Sequence, residues 1–354
     1  MQDASADWDR DDGGGSLFAK TPDFEVSGTT PEGEYYYLIF REKIEHHLSV
    51  VNTSQFPLMT RAWVHQERML SPRVLHFGYY ELAFECSTET YSLTTTGKPN
   101  KKRVKKATFF IARMWRSLVT GYSALHLAKP NDCFPALSGV ARTFAEKRKS
   151  EYLADLFKDS LIDDLLWTAV TWKKPRLSEW RAPSWSWAST KSSITYRDEL
   201  IASIEHCTCT LDGLDTFGKI KSAPLRITSQ ILPARLIREA DPDTYQRPTY
   251  RVHIHDGAVG PRIWPDYDLS QAGPYQVLSG TEVHCLRMIR HIEDNLDVSL
   301  VIRAVRTGPG AVFERIGILE LDSHTPQIDL LQSEIRDRFL TTLNQAQVRT
   351  VDIE

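Results

Sequence analysis

The chain has 354 residues, a formal net charge of -3, 41% hydrophobic and 25% charged residues, and 18 each of Gly and Pro. Those values exclude a collagen-like or low-complexity chain, and they supply no global charge to draw a nucleic acid or an anionic membrane. A single domain usually runs roughly 100–200 residues, so two domains are expected, each long enough to bury a core.

The opening stretch, Asp7 to Gly15, is acidic and glycine-rich, without the basic start and apolar run of a secretory signal, so export is not expected. No stretch approaches the ~18 uninterrupted apolar residues of a spanning helix, and no membrane span is expected. Five cysteines, Cys86, Cys133, Cys207, Cys209 and Cys285, are an odd and sparse set for a disulfide scaffold, which points to a reducing, cytoplasmic location.

In chain order, residues 1–33 are poor in apolar side chains and read as a loose amino terminus. Tyr35 to Phe40, after Gly33, reads as a strand, and Pro57 to Leu70 as a helix. Two strands follow, Val74 to Phe77 and Leu82 to Cys86, turning at Gly78. Residues 87–106 read as a loop whose basic run, Lys98 to Lys106, offers a route to the nucleus but lacks the interleaved aromatics of a nucleic-acid reader. Ile111, Met114, Trp115, Leu118, Val119 and Tyr122 recur at the spacing of one helical stripe, and further helices are predicted over 135–147 and 151–169.

Beyond Trp172 prolines punctuate short β-prone pieces. Val298 to Val305 and Phe313 to Leu321 flank Thr307-Gly308-Pro309-Gly310, the chemistry of a hairpin, and 328–345 reads as an amphipathic helix. The expected fold is α+β: a flexible 1–33, a helix-rich region over 34–190, a β-rich, mainly antiparallel domain over 191–325, and a helical tail over 326–354.

The run Arg61-Ala62-Trp63-Val64-His65-Gln66-Glu67-Arg68-Met69-Leu70-Ser71-Pro72-Arg73-Val74-Leu75-His76-Phe77 resembles the Arg-Trp block of fungal heterokaryon-incompatibility (HET) domains. Four later stretches are similar to that family's succeeding blocks in the same order: Leu82 to Cys86; Trp115 to Ser123; Asp132-Cys133-Phe134-Pro135-Ala136-Leu137-Ser138-Gly139-Val140-Ala141; and Arg181-Ala182-Pro183-Ser184-Trp185-Ser186-Trp187-Ala188-Ser189. The resemblance covers 58–189, the carboxyl half of such a domain, while the family's amino-terminal blocks have no counterpart before residue 58. Residues 190–321 look like the β-rich extension that often follows.

The resemblance implies a protein of fungal non-self recognition that ends in programmed cell death, with Arg61, Trp63, Gln66, Arg73, Trp185 and Trp187 as motif residues and other proteins as partners. The kinship proposed between HET and TIR domains, some of which cleave NAD, further implies Glu67 or Glu85 as a catalytic carboxylate. Two alternatives stay open: another small-molecule enzyme on a reduced scaffold, and a degenerate, non-functional paralogue. No motif identifies a cofactor or small-molecule ligand.

Residue chemistry alone favours plainer roles. Trp63 and Glu67 lie four apart on the predicted helix, the spacing of a shared face, and read as a core indole beside a Glu–Arg ion pair. Ser184 and Ser186 lack the glycine-flanked elbow of a hydrolase nucleophile, and alternation puts Trp185 and Trp187 on one face of a structural strand. His253, His255 and Asp256 lack a further ligand at telling spacing, and Cys207 and Cys209 lack a second pair, so neither is read as a metal site.

Overall fold

The structure, a computed structural model, describes residues 24–40, 57–77, 82–86, 90–92, 107–171, 173–196, 206–207, 210–211, 215–239, 249–254, 259–291, 296–308, 310–321 and 330–354. The chain is α+β with mainly antiparallel sheets, and it divides into two compact units, Met1–Arg103 and Val104–Glu354.

In the first unit β1 (Phe24–Thr29) and β2 (Tyr35–Phe40) form an antiparallel hairpin. β1 falls in the stretch expected to be loose. Gly33 supplies the turn at φ 91, and the Tyr36 ring lies over Gly28, where a Cβ would meet its hydroxyl at 2.5 Å. After a 3-10 turn at Pro57–Thr60 comes α1 (Ala62–Leu70). Ser71 ends it by returning both its N–H and its hydroxyl to the Glu67 carbonyl, and Pro72 follows. The predicted strands are present as β3 (Arg73–Phe77) and β4 (Leu82–Cys86), with β5 (Thr90–Ser92) added beside β4.

The second unit begins with α2 (Ala107–Ser123) and α3 (Pro135–Arg148), as the periodicity predicts. Lys149 closes α3 in the left-handed region, φ 54. The helix predicted over 151–169 is absent. In its place stand a hairpin of β6 (Tyr152–Leu153) and β7 (Leu156–Phe157), a single turn α4 (Leu161–Asp164) and β8 (Trp167–Ala169). Ala154 and Asp155, at φ 50 and φ 69, make the two-residue connection with both residues left-handed that suits a tight hairpin. Leu153 through Phe157 are all buried, so the apolar run has no solvent face for a helical stripe to record.

β8 pairs with β9 (Ile194–Tyr196). The Pro-Ser-Trp-Ser-Trp segment between them is not the expected strand; it is a turn leading into a 3-10 turn at Trp187–Ser189, with the Ser186 hydroxyl accepting the Ala188 N–H at 3.2 Å. Short strands β10 (His206–Cys207), β11 (Thr210–Leu211) and β12 (Ile220–Ser222) lead to the 15-residue β13 (Leu225–Glu239). β14 (Thr249–His253) and β15 (Trp264–Pro265) flank the sheet. The predicted hairpin is present as β17 (Leu296–Arg306) and β18 (Val312–Leu321), preceded by β16 (Glu282–His291). α5 (Leu330–Asn344) follows, and then β19 (Val348–Ile353), a strand where a wholly helical tail was expected.

β19 changes the topology. It pairs antiparallel with β13 and parallel with β18, so the ladder runs β13–β16–β17–β18–β19 and back to β13, a closed ring. Pro233 fits inside β13 for a reason of register. Ile231 donates its N–H to Gln347 on the β19 flank and Leu236 to Thr281 on the β16 flank, so residue 233 faces the β19 flank. There it falls between Gln230, the last partner of β19, and Arg235, the first of β14, where no ladder bond is needed.

The domain change expected near residue 190 falls inside the second unit. Arg315 of β18, 1% exposed, holds the two sides together. Its guanidinium makes a two-pronged pair with Asp266 at 2.8 and 3.0 Å, donates to the backbone carbonyls of Leu165 and, at 2.6 Å, Trp167, and lies 3.7 Å from the Trp167 ring centroid. The Ser184 hydroxyl takes the Arg315 N–H at 2.9 Å, and the Ser184 N–H reaches the Glu354 carbonyl at 3.0 Å.

Arg315→Leu leaves the Asp266 carboxylate buried without its cation and is expected to cost about 3–5 kcal/mol in denaturant unfolding. The double variant Arg315→Leu/Asp266→Leu is expected to recover part of that loss.

Candidate functional site

In the first unit two residues of the Arg-Trp block, Arg68 and His76, meet at the carboxylate of Glu85. Val74 and His76 of β3 share a face with Glu85 of β4, since Val74 lies directly opposite Glu85 and His76 is two residues on. Arg68, from the last turn of α1, donates Nε to Glu85 Oε2 at 2.7 Å and Nη2 to Oε1 at 3.0 Å, and His76 Nε2 lies 3.0 Å from Oε2. Burial alone would raise the Glu85 pKa, but the hydrogen bonds and charge of Arg68, then His76, outweigh it and hold the carboxyl below its ordinary value. Burial, reinforced by the Arg68 charge, lowers the His65 pKa to about 4, so that imidazole is neutral at physiological pH.

Glu85 is therefore the charged half of the ion pair expected for Glu67. Glu67 itself is exposed, as are Arg61 and Arg73, while Gln66 is half-buried. Trp63 is 39% exposed and is not a core indole. Helical spacing pointed to Glu67 for the ion pair, whereas the carboxylate that pairs with α1 is Glu85, on a strand 17 residues away from Arg68.

In the second unit the remaining motif blocks converge on the hairpin tip that sequence reading missed. Trp115 Nε1 donates to the Asp155 carbonyl at 3.2 Å, the Ser186 hydroxyl to the Ala154 carbonyl at 2.8 Å, and Tyr122 to the Cys133 carbonyl at 2.8 Å. Arg181 donates to the carbonyls of Ala188, Thr190 and Pro130, which fixes the closing block against the start of the Cys133 turn. Trp167 Nε1 donates to the Trp185 carbonyl and Trp185 Nε1 to that of Ala223, both at 2.9 Å, while Trp187 packs edge-on against Tyr122. Trp185 and Trp187 are 0% and 3% exposed, and Ser184 and Ser186 are equally sealed.

Asp155 stands at the centre. It is 0% exposed, one carboxylate oxygen accepts from Tyr152, and the other, Oδ2, is buried without a partner in the protein. Burial pushes its pKa up to about 7, against the opposing effects of Tyr152 and Arg181. The neighbouring Cys133 thiol is pushed up to about 12 by burial and is no nucleophile.

His253 lies on β14 and Cys207 on β10; His255, Asp256, Cys209 and the Lys98–Lys106 run lie outside the described residues. Among the described residues no three His, Cys, Asp or Glu side chains converge as a metal site, and no helix is long and apolar enough to cross a membrane. No family model matches the chain, and neither a curated protein nor a solved structure does.

A carboxyl whose folded pKa is raised contributes stability that is fully present below its ordinary value and lost as pH rises through about 7. Asp155→Asn keeps a residue that tolerates the left-handed turn and removes the titration. Relative to the parent chain, the variant is expected to gain stability between pH 4 and pH 8, by an amount on the order of a few kcal/mol, in unfolding curves measured across that range.

Proposed function

We propose that this chain carries the carboxyl half of a HET-like domain and acts in fungal non-self recognition by contacting other proteins, in the response that ends in death of incompatible fusion cells. The observation that carries the reading is the use to which the motif residues are put. Those of the second unit are consumed in internal bonds around Asp155, and the Glu85 carboxylate of the first is closed by Arg68 and His76. What α1 offers outward, around the exposed Glu67, is mostly apolar. Trp63, Met69 and Leu70 are 39%, 45% and 46% exposed, and Trp63, Glu67 and Leu70 follow the i, i+4, i+7 spacing of one helical stripe. An exposed Trp with neighbouring aliphatics is the chemistry of a protein-binding anchor.

An enzymatic reading rests on the same cluster: Arg68 and His76 beside Glu85 are suited to an anionic substrate such as NAD, with a glutamate near the ribosyl carbon. The geometry favours it less, because both oxygens of Glu85 are engaged.

Overexpression in a fungal host separates the two. Growth arrest is expected, relieved by Trp63→Ala/Leu70→Ala, whose exposed positions leave thermal unfolding nearly unchanged, and untouched by Glu67→Gln. Release of nicotinamide from NAD by the purified chain, abolished by Glu85→Gln, would overturn the contact reading, as would harmless high-level expression.

A further inference from the structure

Beneath α5 the sheet carries a polar group that neither the ring topology nor the motif blocks require. Ser299 of β17 lies directly across from Arg287 of β16, and Asp297 is two residues before it, so all three side chains share a face. On the other side of β17 the cross-strand neighbours of Ser299 and Asp297 are Leu319 and Leu321 of β18, an apolar wall. α5 covers the same face, with Phe339 and Leu343 buried in the core cluster that includes Cys285, Val301 and Leu319.

Arg287 is partly used. It donates Nη2 to Asp297 Oδ2 at 2.6 Å, and Nη1 to Gln230 Oε1 at 2.6 Å and to Asn344 Oδ1 at 3.0 Å. Arg287 Nε, Asp297 Oδ1 and Ser299 Oγ are left over, each buried and without a hydrogen-bond partner in the protein, on residues that are 7%, 3% and 0% exposed. Leaving a buried polar atom unbonded is costly, so three together mark a place where the protein bonds to something else.

The atoms specify that guest. Arg287 Nε only donates, the Asp297 carboxyl already accepts from Arg287 Nη2 and offers its second oxygen as a further acceptor, and the Ser299 hydroxyl does either. A cation would suit the two oxygens but meets the Arg287 guanidinium, with the further positive charge of Arg290 on the sheet and Arg336 on the helix acting at Asp297. An anion would suit Arg287 and Ser299 but meets Asp297. A small neutral group that both donates and accepts satisfies all three.

We infer that Arg287 Nε, Asp297 Oδ1 and Ser299 Oγ form a binding site for one structural water molecule, held between the sheet and α5. The water accepts from Arg287 and donates to Asp297 and Ser299, about three bonds being usual for buried water. With its Nε satisfied, the guanidinium can fix Asn344, the last residue of α5, and Gln230, the β13 residue that pairs with Val348 at the start of β19. The water thus anchors the link through which the ring closes.

A crystal structure of the full chain at atomic resolution is expected to show one water-sized peak within hydrogen-bond distance of all three atoms. Direct pairing among the three, or density larger than water, would overturn the site. In solution, oxygen-17 water relaxation is expected to count one fewer long-lived water in Ser299→Val than in the parent chain, and equal counts in two folded proteins would contradict it. If Ser299→Val fails to fold, the crystal structure of the parent chain decides alone.

Discussion

The second unit depends on a single buried cation. Arg315 projects from the middle of the closed sheet into the helical region and meets Asp266, two backbone carbonyls and the Trp167 ring at once. A guanidinium taken out of water has a large desolvation cost, and only a nearly complete set of partners offsets it. That requirement constrains much else. Leu165 and Trp167 must present their carbonyls, Asp266 must be pinned by Thr190, and Ser184 must sit where its hydroxyl meets the Arg315 N–H. The Pro-Ser-Trp-Ser-Trp segment is therefore a clamp between two layers, and it is buried for that reason.

The helices legible in the sequence were those with a solvent face, and the legible hairpin was marked by its turn. α2, α3 and α5 alternate buried and exposed positions, and β17 and β18 are punctuated by Gly308 and Gly310 at positive φ. The failures share a cause. Leu153 to Phe157 are buried on every side, so periodicity carries no information there, and the left-handed Ala154–Asp155 pair has none of the glycine that usually announces such a turn. β19 was hidden because its partners, β13 and β18, are more than a hundred and about forty residues away along the chain, a pairing that local propensity does not encode.

The candidate site was legible by block and not by residue. The motif-bearing segments of the second unit meet around one hairpin tip, whereas the tip itself, Asp155, matched no motif. In the first unit the Arg-Trp block and the Leu82–Cys86 block drew attention to α1 and to Glu85, but the partners that decide what Glu85 can do, Arg68 and His76, emerged only from the packing of α1 and the cross-strand register of β3 and β4.

If the motif blocks and the ring are one cooperative body hinged on Arg315, native-state hydrogen exchange resolves it. Amides of Phe157, Val170, Ser184, Ile316 and Glu354 are expected to exchange together, through the global unfolding reaction, with the same denaturant dependence. Exchange of Phe157, Val170 and Ser184 through a separate opening, while Ile316 stays protected, would contradict the account.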